Sequence, residues 1–508
     1  MRKCKRFLAM ILAIVIACMP LAACSSNGSR DAQNTLVFGQ GSEPRGLDPG
    51  LVDDVESGKV IGNIYEGLVK FAKDSVAIEP CLAESWEISE GGLHYTFYLR
   101  QGVKFHDGSD FNAEAVKFNI DRFLPGQRTE DMPYAQAVYG AVKNVQVIDP
   151  YTVKINLEAA CTPFLSNLAM IMTASMVSPK ALQENENNVN ENPVGTGPYR
   201  FVRWDKSQNV VLTRNDQYWG KKAVTQNVIF KMIADKSARV VALTNGEVDM
   251  IDGIDATVVD QIKSGGCNVW QKEGMNIFYM AYNTTKTPFD KKEVRKAVTQ
   301  AVNVREMTQS LLQGYATAAT SILPSFVSGY DESIKQPEYD PDAAKTALQK
   351  AGVTKIHMIT HTNNGQEPAE AIQGYLSKIG VQATIDAYDW TTYKDKIKGG
   401  DYDMCFYGWT GDNGDPDNFL SLLSNSDPTI NVSRYSNSNY NAAIQEGLVT
   451  PAGDRRNAIY TNLEKLQSEE SVWIPLWHKD TLSGYRPNIQ NYSYHVTGTV
   501  FLSEVSKK

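Results

Sequence analysis

Strand-like and helix-like segments alternate along this 508-residue chain, and that alternation limits its fold more than any other feature. It implies an α/β architecture, with sheet packed between helical layers. "TLVFGQ" (35–40) reads as a strand. "LHYTFYLR" (93–100) places Leu93, Tyr95, Phe97 and Leu99 on one face of another. "NVQVIDPYTVKINL" (144–157) predicts a hairpin that turns at "IDPY". "VRKAVTQAVNVREMTQSLL" (294–312) keeps helical spacing from Val294 through Val298, Ala301 and Val302 to Met307 and Leu311. In "DPDAAKTALQKAG" (340–352), Asp340 is placed as an N-cap before a first-turn Pro341, with Gly352 at the far end. "AEAIQGYLSKIGVQATIDAYDW" (369–390) reads as helix, glycine turn and strand, and "DRRNAIYTNLEKLQSEE" (454–470) as a further helix. The length suits two or three domains.

The N-terminus carries no fold information. "MRKCKRF" supplies Arg2, Lys3, Lys5 and Arg6, and "LAMILAIVIACMPLAA" follows as an apolar run broken by Pro20. This is the layout of a signal peptide over 1–23, too short and wrongly flanked for a good membrane span. The run ends in "LAAC", which resembles a bacterial lipobox; an ordinary secretory signal is the other reading. The resemblance implies cleavage before Cys24, a diacylglyceryl thioether on its sulfur and an acylated amine. More than one acyl chain gives stable anchoring. Residues 24–34 then form a polar tether, and the protein is expected outside the cytoplasm, held at the cell membrane by Cys24.

The formal charge is −8, and removing residues 1–23 takes away four cations, leaving about −12. That balance argues against nucleic acid as a partner. Besides Cys24, the mature chain keeps Cys81, Cys161, Cys267 and Cys405, too few for a disulfide scaffold. Cys405 lies in the apolar run "DMCFYGW" and is expected as a buried thiol.

"YGWTGDNGDPDNFL" (407–420) follows that strand with Asp412, Asp415 and Asp417 in a loop rich in Gly, Asn and Pro. Ligands of α/β sheets meet the carboxyl ends of strands. A carboxylate there accepts hydrogen bonds from an ammonium, and exclusion of water strengthens the pairing. Trp409 offers a flat wall and a cation–π face. A calcium loop does not fit: counting from Asp412 puts Gly414 and Pro416 at ligand positions, and counting from Asp415 puts Leu420 where glycine is needed. Asp412 is therefore read as a ligand-binding carboxylate, and Asp415 and Asp417 as turn and helix caps.

Several stretches resemble the extracytoplasmic solute-binding proteins of family 5, the binding components of peptide and nickel ABC transporters. They are "LAESWEISEGGLHYTFYLRQGVKFHDGSDFNAEAVKFNIDRF" (82–123), "NPVGTGPYRFVRW" (192–204), "VRKAVTQAVN" (294–303) and "GWTGDNGDPDNFL" (408–420), the last most similar to the dipeptide-binding branch. The resemblance runs over nearly the whole mature chain. It implies a type II periplasmic-binding-protein fold with two α/β lobes, a two-crossover hinge and an extra domain on lobe one. Lobe one would take 35–280 and 475–508 and lobe two 281–474, with crossings near 278–283 and 472–477. It also implies that Asp412 of the Trp409-Thr410-Gly411-Asp412 motif binds a peptide's α-ammonium while the backbone of the same segment pairs with the extended ligand. By the same resemblance Trp390 lines the cleft, and Asp53 and Asp54 of "GLVDD" face the ligand, although both also suit solvated turn positions.

Two departures stand out. The branch's arginine for the ligand carboxylate is missing, because 360–374 holds neither Arg nor Lys. His361 serves only if protonated, and Arg45 would have to reach in from the first lobe. The branch's disulfide positions hold Gly39 and Glu247. The ligand is therefore read as a di- or tripeptide, with a metal chelate, glutathione or another amine-bearing solute as the alternative. The permease and ATPase of an importer are the implied partners of a monomer, with no cofactor. G-x-S-x-G, H-E-x-x-H and Walker A motifs are absent, so no enzyme chemistry is read.

Overall fold

The computed structural model describes residues 34–508; the expected signal peptide, Cys24 and most of the tether lie outside the described residues. β1 (Thr35–Gln40) and α1 (Val55–Ile64) come first, then a short hairpin of β2 (Val69–Phe71) and β3 (Ile78–Pro80). β4 (Ala83–Ile88), β5 (His94–Leu99), β6 (Val142–Asp149) and β7 (Thr152–Leu157) form a separate antiparallel sheet in the order β4-β5-β7-β6. The expected turn joins β6 to β7. Tyr95, Phe97 and Leu99 are buried while Leu93 stays exposed, so the alternation in "LHYTFYLR" marks a one-sided strand. α2 (Ala113–Asp121) covers this sheet, and the two share an apolar core with Phe164 and Leu168.

The main sheet has twelve strands. One half holds β1, β8 (Tyr199–Asp205), β9 (Asn209–Arg214), β10 (Asn227–Met232), β11 (Met250–Ile251) and β12 (Asn268–Glu273). The other holds β13 (Asn276–Tyr282), β14 (Ala316–Ala318), β15 (Lys355–His361), β16 (Gln382–Tyr388) and β17 (Met404–Thr410). β18 (Trp473–Tyr485) belongs to both: Trp473–Trp477 pairs with β13, and Asp480–Tyr485 pairs with β12. The chain thus changes halves at Gly274–Met275 and again around His478–Lys479. The stretches 278–283 and 472–477 lie just beyond these points, inside strands of the second half. Within that half β16, β15 and β17 run parallel, and β17, β13 and β18 antiparallel. Apolar cores lie on both faces, one around Met358 and Phe406, the other around Tyr279 and Cys405.

The helical spacing over 294–312 belongs to two helices, α3 (Lys292–Gln300) and α4 (Val304–Leu312). Asn303 breaks the run by capping: its Oδ1 accepts from Glu306 N at 3.1 Å, and its Nδ2 donates to the Glu306 carboxylate at 3.0 Å. α5 (Pro341–Lys350) starts as expected, with Asp340 accepting from Ala343 N at 2.9 Å. α6 (Gln366–Lys378), α7 (Trp390–Gly399), α8 (Pro416–Leu420) and α9 (Asp454–Glu470) complete the helices that shape the site. Cys81, Cys161, Cys267 and Cys405 are unpaired, and Cys405 is buried.

Candidate functional site

β17 turns outward along its length. Met404, Cys405 and Phe406 are buried, but Gly408 and Thr410 are exposed, so the strand's last turn of pleat leaves the core and reaches the gap between the halves. Gly411 continues the ladder by donating its N–H to Met275 O at 2.9 Å. Its place permits no side chain, since a Cβ would lie 2.3 Å from the Phe419 ring. Gly414, at φ +67°, brings the loop against Val76 of the β2–β3 hairpin, 2.5 Å from where its Cβ would sit.

The three carboxylates of this loop go three separate ways. Asp415 caps α8 through Asp417 N at 2.9 Å and takes both arms of the Arg456 guanidinium, at 2.7 and 2.8 Å, in a buried pair. The capping role expected for Asp415 is present, and the arginine from α9 adds a buried ion pair to it. Asp417 caps nothing. It sits in the first turn of α8 and accepts the Tyr460 hydroxyl at 3.3 Å, and burial beside Asp415 pushes its carboxyl up to about 7.

Asp412 is mostly buried and accepts one hydrogen bond, from the Tyr134 hydroxyl at 3.3 Å. Burial pushes its carboxyl up to about 6; the Tyr134 hydrogen bond opposes the rise and the negative charge of Asp53 adds to it. Among the described residues no cation pairs with it. A carboxylate in this state is electrostatically incomplete, and a cation delivered to it would lower its pKa again.

The other expected residues are less uniform. Trp409 is half-buried and fixed by its Nε1, which donates to Asn418 Oδ1 at 2.8 Å. Thr410 is exposed at the strand's end. Trp390 is 44 % exposed, with the His361 ring edge-on at 5.3 Å, the Tyr407 ring at 5.7 Å and Lys394 Nζ 5.7 Å from its centre. These rings stand at the carboxyl ends of the parallel strands, the same edge as Asp412. Asp53 pairs with Arg45 at 2.6 Å and acts electrostatically on both Asp412 and Tyr134. Asp54 is committed elsewhere: it caps α1, accepting from Ser57 N at 2.9 Å and Ser57 Oγ at 2.7 Å. Of the pair in "GLVDD", Asp53 is therefore the one placed near Asp412, and Asp54 takes the turn role.

Tyr134 is not legible as a site residue in the sequence, since nothing in "EDMPYAQ" marks it. The halves also meet through Asn413 Nδ2 and Asn167 Oδ1 at 2.7 Å, and through Thr162, whose N–H and hydroxyl donate to Leu448 O and Thr450 O at 2.8 and 2.7 Å. A cavity of about 360 Å³ lies beneath α1 in the first half, with Asp412 on its wall.

The family model for bacterial extracellular solute-binding proteins, family 5, matches residues 77–431. Heme-binding protein A of Haemophilus influenzae is 31 % identical, over 95 % of this chain and 96 % of its own length. Di/tripeptide-binding protein 1 of Pseudomonas aeruginosa is 31 % identical, over 97 % of this chain and 96 % of its own. The solved structure of HbpA2 from Haemophilus parasuis superposes with a TM-score of 0.86 at 30 % identity, covering 94 % of this chain and all of that one.

Proposed function

The chain belongs to family 5 of the bacterial extracellular solute-binding proteins and has their type II periplasmic-binding fold, and on that premise we propose that it captures di- or tripeptides between its lobes and delivers them to the permease and ATPase of an ABC importer. The observation that carries this reading is the Asp412 carboxylate, mostly buried and, among the described residues, without a cation. A peptide's α-ammonium supplies the missing charge and up to three hydrogen-bond donors. Beyond Cys405 the edge of β17 that faces β15 is unpaired, while the other edge stays in register with β13, and that open edge supplies backbone groups for an extended ligand. Two relatives of equal identity are named for haem and for di- and tripeptides. The peptide is favoured because its α-ammonium complements the Asp412 carboxylate, whereas haem brings carboxylates and no ammonium to it.

The lobes in this proposal are 35–280 with 475–508, and 281–474, with the strand crossings at Gly274–Met275 and His478–Lys479 a few residues from each boundary. The protein works as a monomer, outside the cytoplasm, lipidated at Cys24 and without a reaction of its own. Cys24→Ser would then move it from the detergent phase to the aqueous phase on partitioning of cell extracts; unchanged partitioning would remove the anchor from the proposal.

Calorimetric titration of residues 25–508, stripped of ligand by unfolding and refolding, tests the central claim. Ala-Ala, tri-Ala and Ala-Ala-amide are expected to bind and N-acetyl-Ala-Ala is not. Binding of the acetylated peptide as tight as that of Ala-Ala would sink the ammonium site.

A further inference from the structure

Resting on the reading of Cys24 as a lipid anchor, we propose that the end of the first half where the described chain begins is a basic face that lies on an anionic phospholipid surface, with Arg200, Arg214, Lys221 and Lys222 against the lipid phosphates.

Strand register places the face. Asn34 O accepts from Asn227 N at 2.9 Å, and β1 begins at the next residue. Thr35 pairs with Asn227, Asn227 with Thr213 and Thr213 with Arg200, so one row crosses β1, β10, β9 and β8. Arg214 is the next residue of β9, at the outer end of the row. Neighbouring strands lie about 4.8 Å apart, so the backbone of Arg200, three strands over, is about 14 Å from Thr35. Lys221 and Lys222 stand on the connection from β9 to β10, beyond the same end of the sheet. That connection is pinned to the last residues of the chain. Val224 N donates to Ser503 O at 2.8 Å, and Thr225 Oγ1 donates to Val505 O at 2.9 Å.

The charge here runs against that of the whole. The mature chain carries about −12, yet cations prevail at this end. Arg200, Lys221 and Lys222 are exposed, and Arg200 and Lys222 have no ion-pair partner among the described residues. Arg214 pairs with Asp216 at 2.8 Å. Lys221 reaches Glu504 only at 4.0 Å, and Glu504 is closer to Lys73, at 2.8 Å. Two carboxylates thus face five cations. Val224, 49 % exposed, adds an apolar side chain among them.

The length of chain before this end selects a lipid surface as the partner. Ten steps along the chain separate Cys24 from Asn34, a span of at most about 36 Å. An acylated Cys24 therefore keeps this end, of all the surface, within reach of the bilayer. Lys and Arg near anionic headgroups are attracted to them, and the attraction fades beyond a Debye length, about 10 Å at 0.1 M salt. The remainder of the molecule is more negative than the whole and is repelled by the same lipid. Attraction at one end and repulsion elsewhere orient the protein with this end toward the membrane. β1 and β10 run parallel away from it, to the edge where Gln40 leads into the loop that carries Asp53. The contact leaves that loop uncovered.

The test is cosedimentation of residues 25–508, which hold the whole described fold and no anchor, with lipid vesicles. Vesicles of phosphatidylglycerol and phosphatidylcholine in equal parts are expected to carry down at least about fivefold more protein than phosphatidylcholine alone at 0.1 M salt. The excess should vanish at 1 M, where the Debye length is about 3 Å. Reversing Lys221→Glu and Lys222→Glu together should abolish the excess. Lys345→Glu with Lys350→Glu makes the same change in net charge at exposed positions of α5, in the other half, and should keep it. Melting temperature and Ala-Ala affinity should be unchanged in both variants; if the first melts early, Arg200→Glu takes its place. No excess on the anionic vesicles would overturn the inference. So would an excess that survives reversal at 221 and 222, or one lost equally in the α5 variant. The protein tested has no lipid, so these outcomes are separate from the Cys24→Ser partitioning experiment, which judges the anchor by itself.

Discussion

Tyr134 in the first half of the molecule donates its hydroxyl to Asp412 in the second, at 3.3 Å. The bond stabilises the carboxylate form against a burial that disfavours it, and the Asp412 carboxyl settles at about 6. Ligand capture through that carboxylate should strengthen as pH rises through about 6, hold, and weaken as the ligand's α-amine deprotonates near 8. Below the acid midpoint, binding releases a proton, visible as a dependence of calorimetric heat on buffer ionisation. Tyr134→Phe removes the bond and should move the acid limb to higher pH. An acid limb unmoved in this variant would mean that Asp412 does not govern capture.

Asp412→Ala should cost at least tenfold in affinity, about 1.4 kcal/mol, while Asp417→Ala costs little, because Asp417 faces Tyr460 and the Asp415–Arg456 pair. Equal losses in the two variants would contradict this division of roles.

Asp415 and Arg456 should matter to stability instead. Both are buried and they satisfy each other with two short bonds. Replacing either alone leaves the other charged and unpaired, at a cost of about 3–5 kcal/mol. Urea unfolding of Asp415→Ala and Arg456→Ala should show that loss, and losses below about 1 kcal/mol would mean the pair is hydrated.

Burial also raises the carboxyl of Glu464, to about 8, with Ser321 bonded to one oxygen and the other oxygen without a partner. With Glu66, Asp412, Asp417 and Asp480, this makes five acids among the described residues that hold protons more tightly folded than unfolded. Buried His106, His478 and His495, whose values are lowered, act in the opposite sense below about 6.5, so the fall in stability with rising pH is expected from about 6.5 to about 8, where Asp417 and Glu464 lose their protons. Unfolding midpoints measured across that range should decline, and Glu464→Gln should flatten the upper part of the decline. A midpoint that climbs with pH across that range in the wild type would contradict the raised values.

Periodicity made the fold legible. The strand in "LHYTFYLR", the hairpin at "IDPY" and the helix capped by Asp340 each carry a local signal that the structure repeats. At 294–312 the apolar spacing persists across a break that only the capping chemistry of Asn303 and Glu306 reveals. The site was less legible because its partners come from far along the chain: Tyr134 is 278 residues from Asp412, and Arg456 is 41 from Asp415.

Gly414 gives the last prediction, on closure. At φ +67° its Cβ position lies 2.5 Å from Val76 Cβ, in the hairpin of the other half. Both obstacles to Gly414→Ala are physical, but they differ in where they act. The left-handed backbone costs about 1–2 kcal/mol wherever the loop is folded. The clash with Val76 exists only while the halves touch. If the two strand crossings at Gly274–Met275 and His478–Lys479 act as a hinge, the clash favours the open form and taxes binding. Gly414→Ala should then weaken peptide affinity by more than its loss of ligand-free stability predicts, and pairing it with Val76→Gly should restore affinity but not stability. If Val76→Gly fails to rescue, the loop's contact with the hairpin has no part in closure.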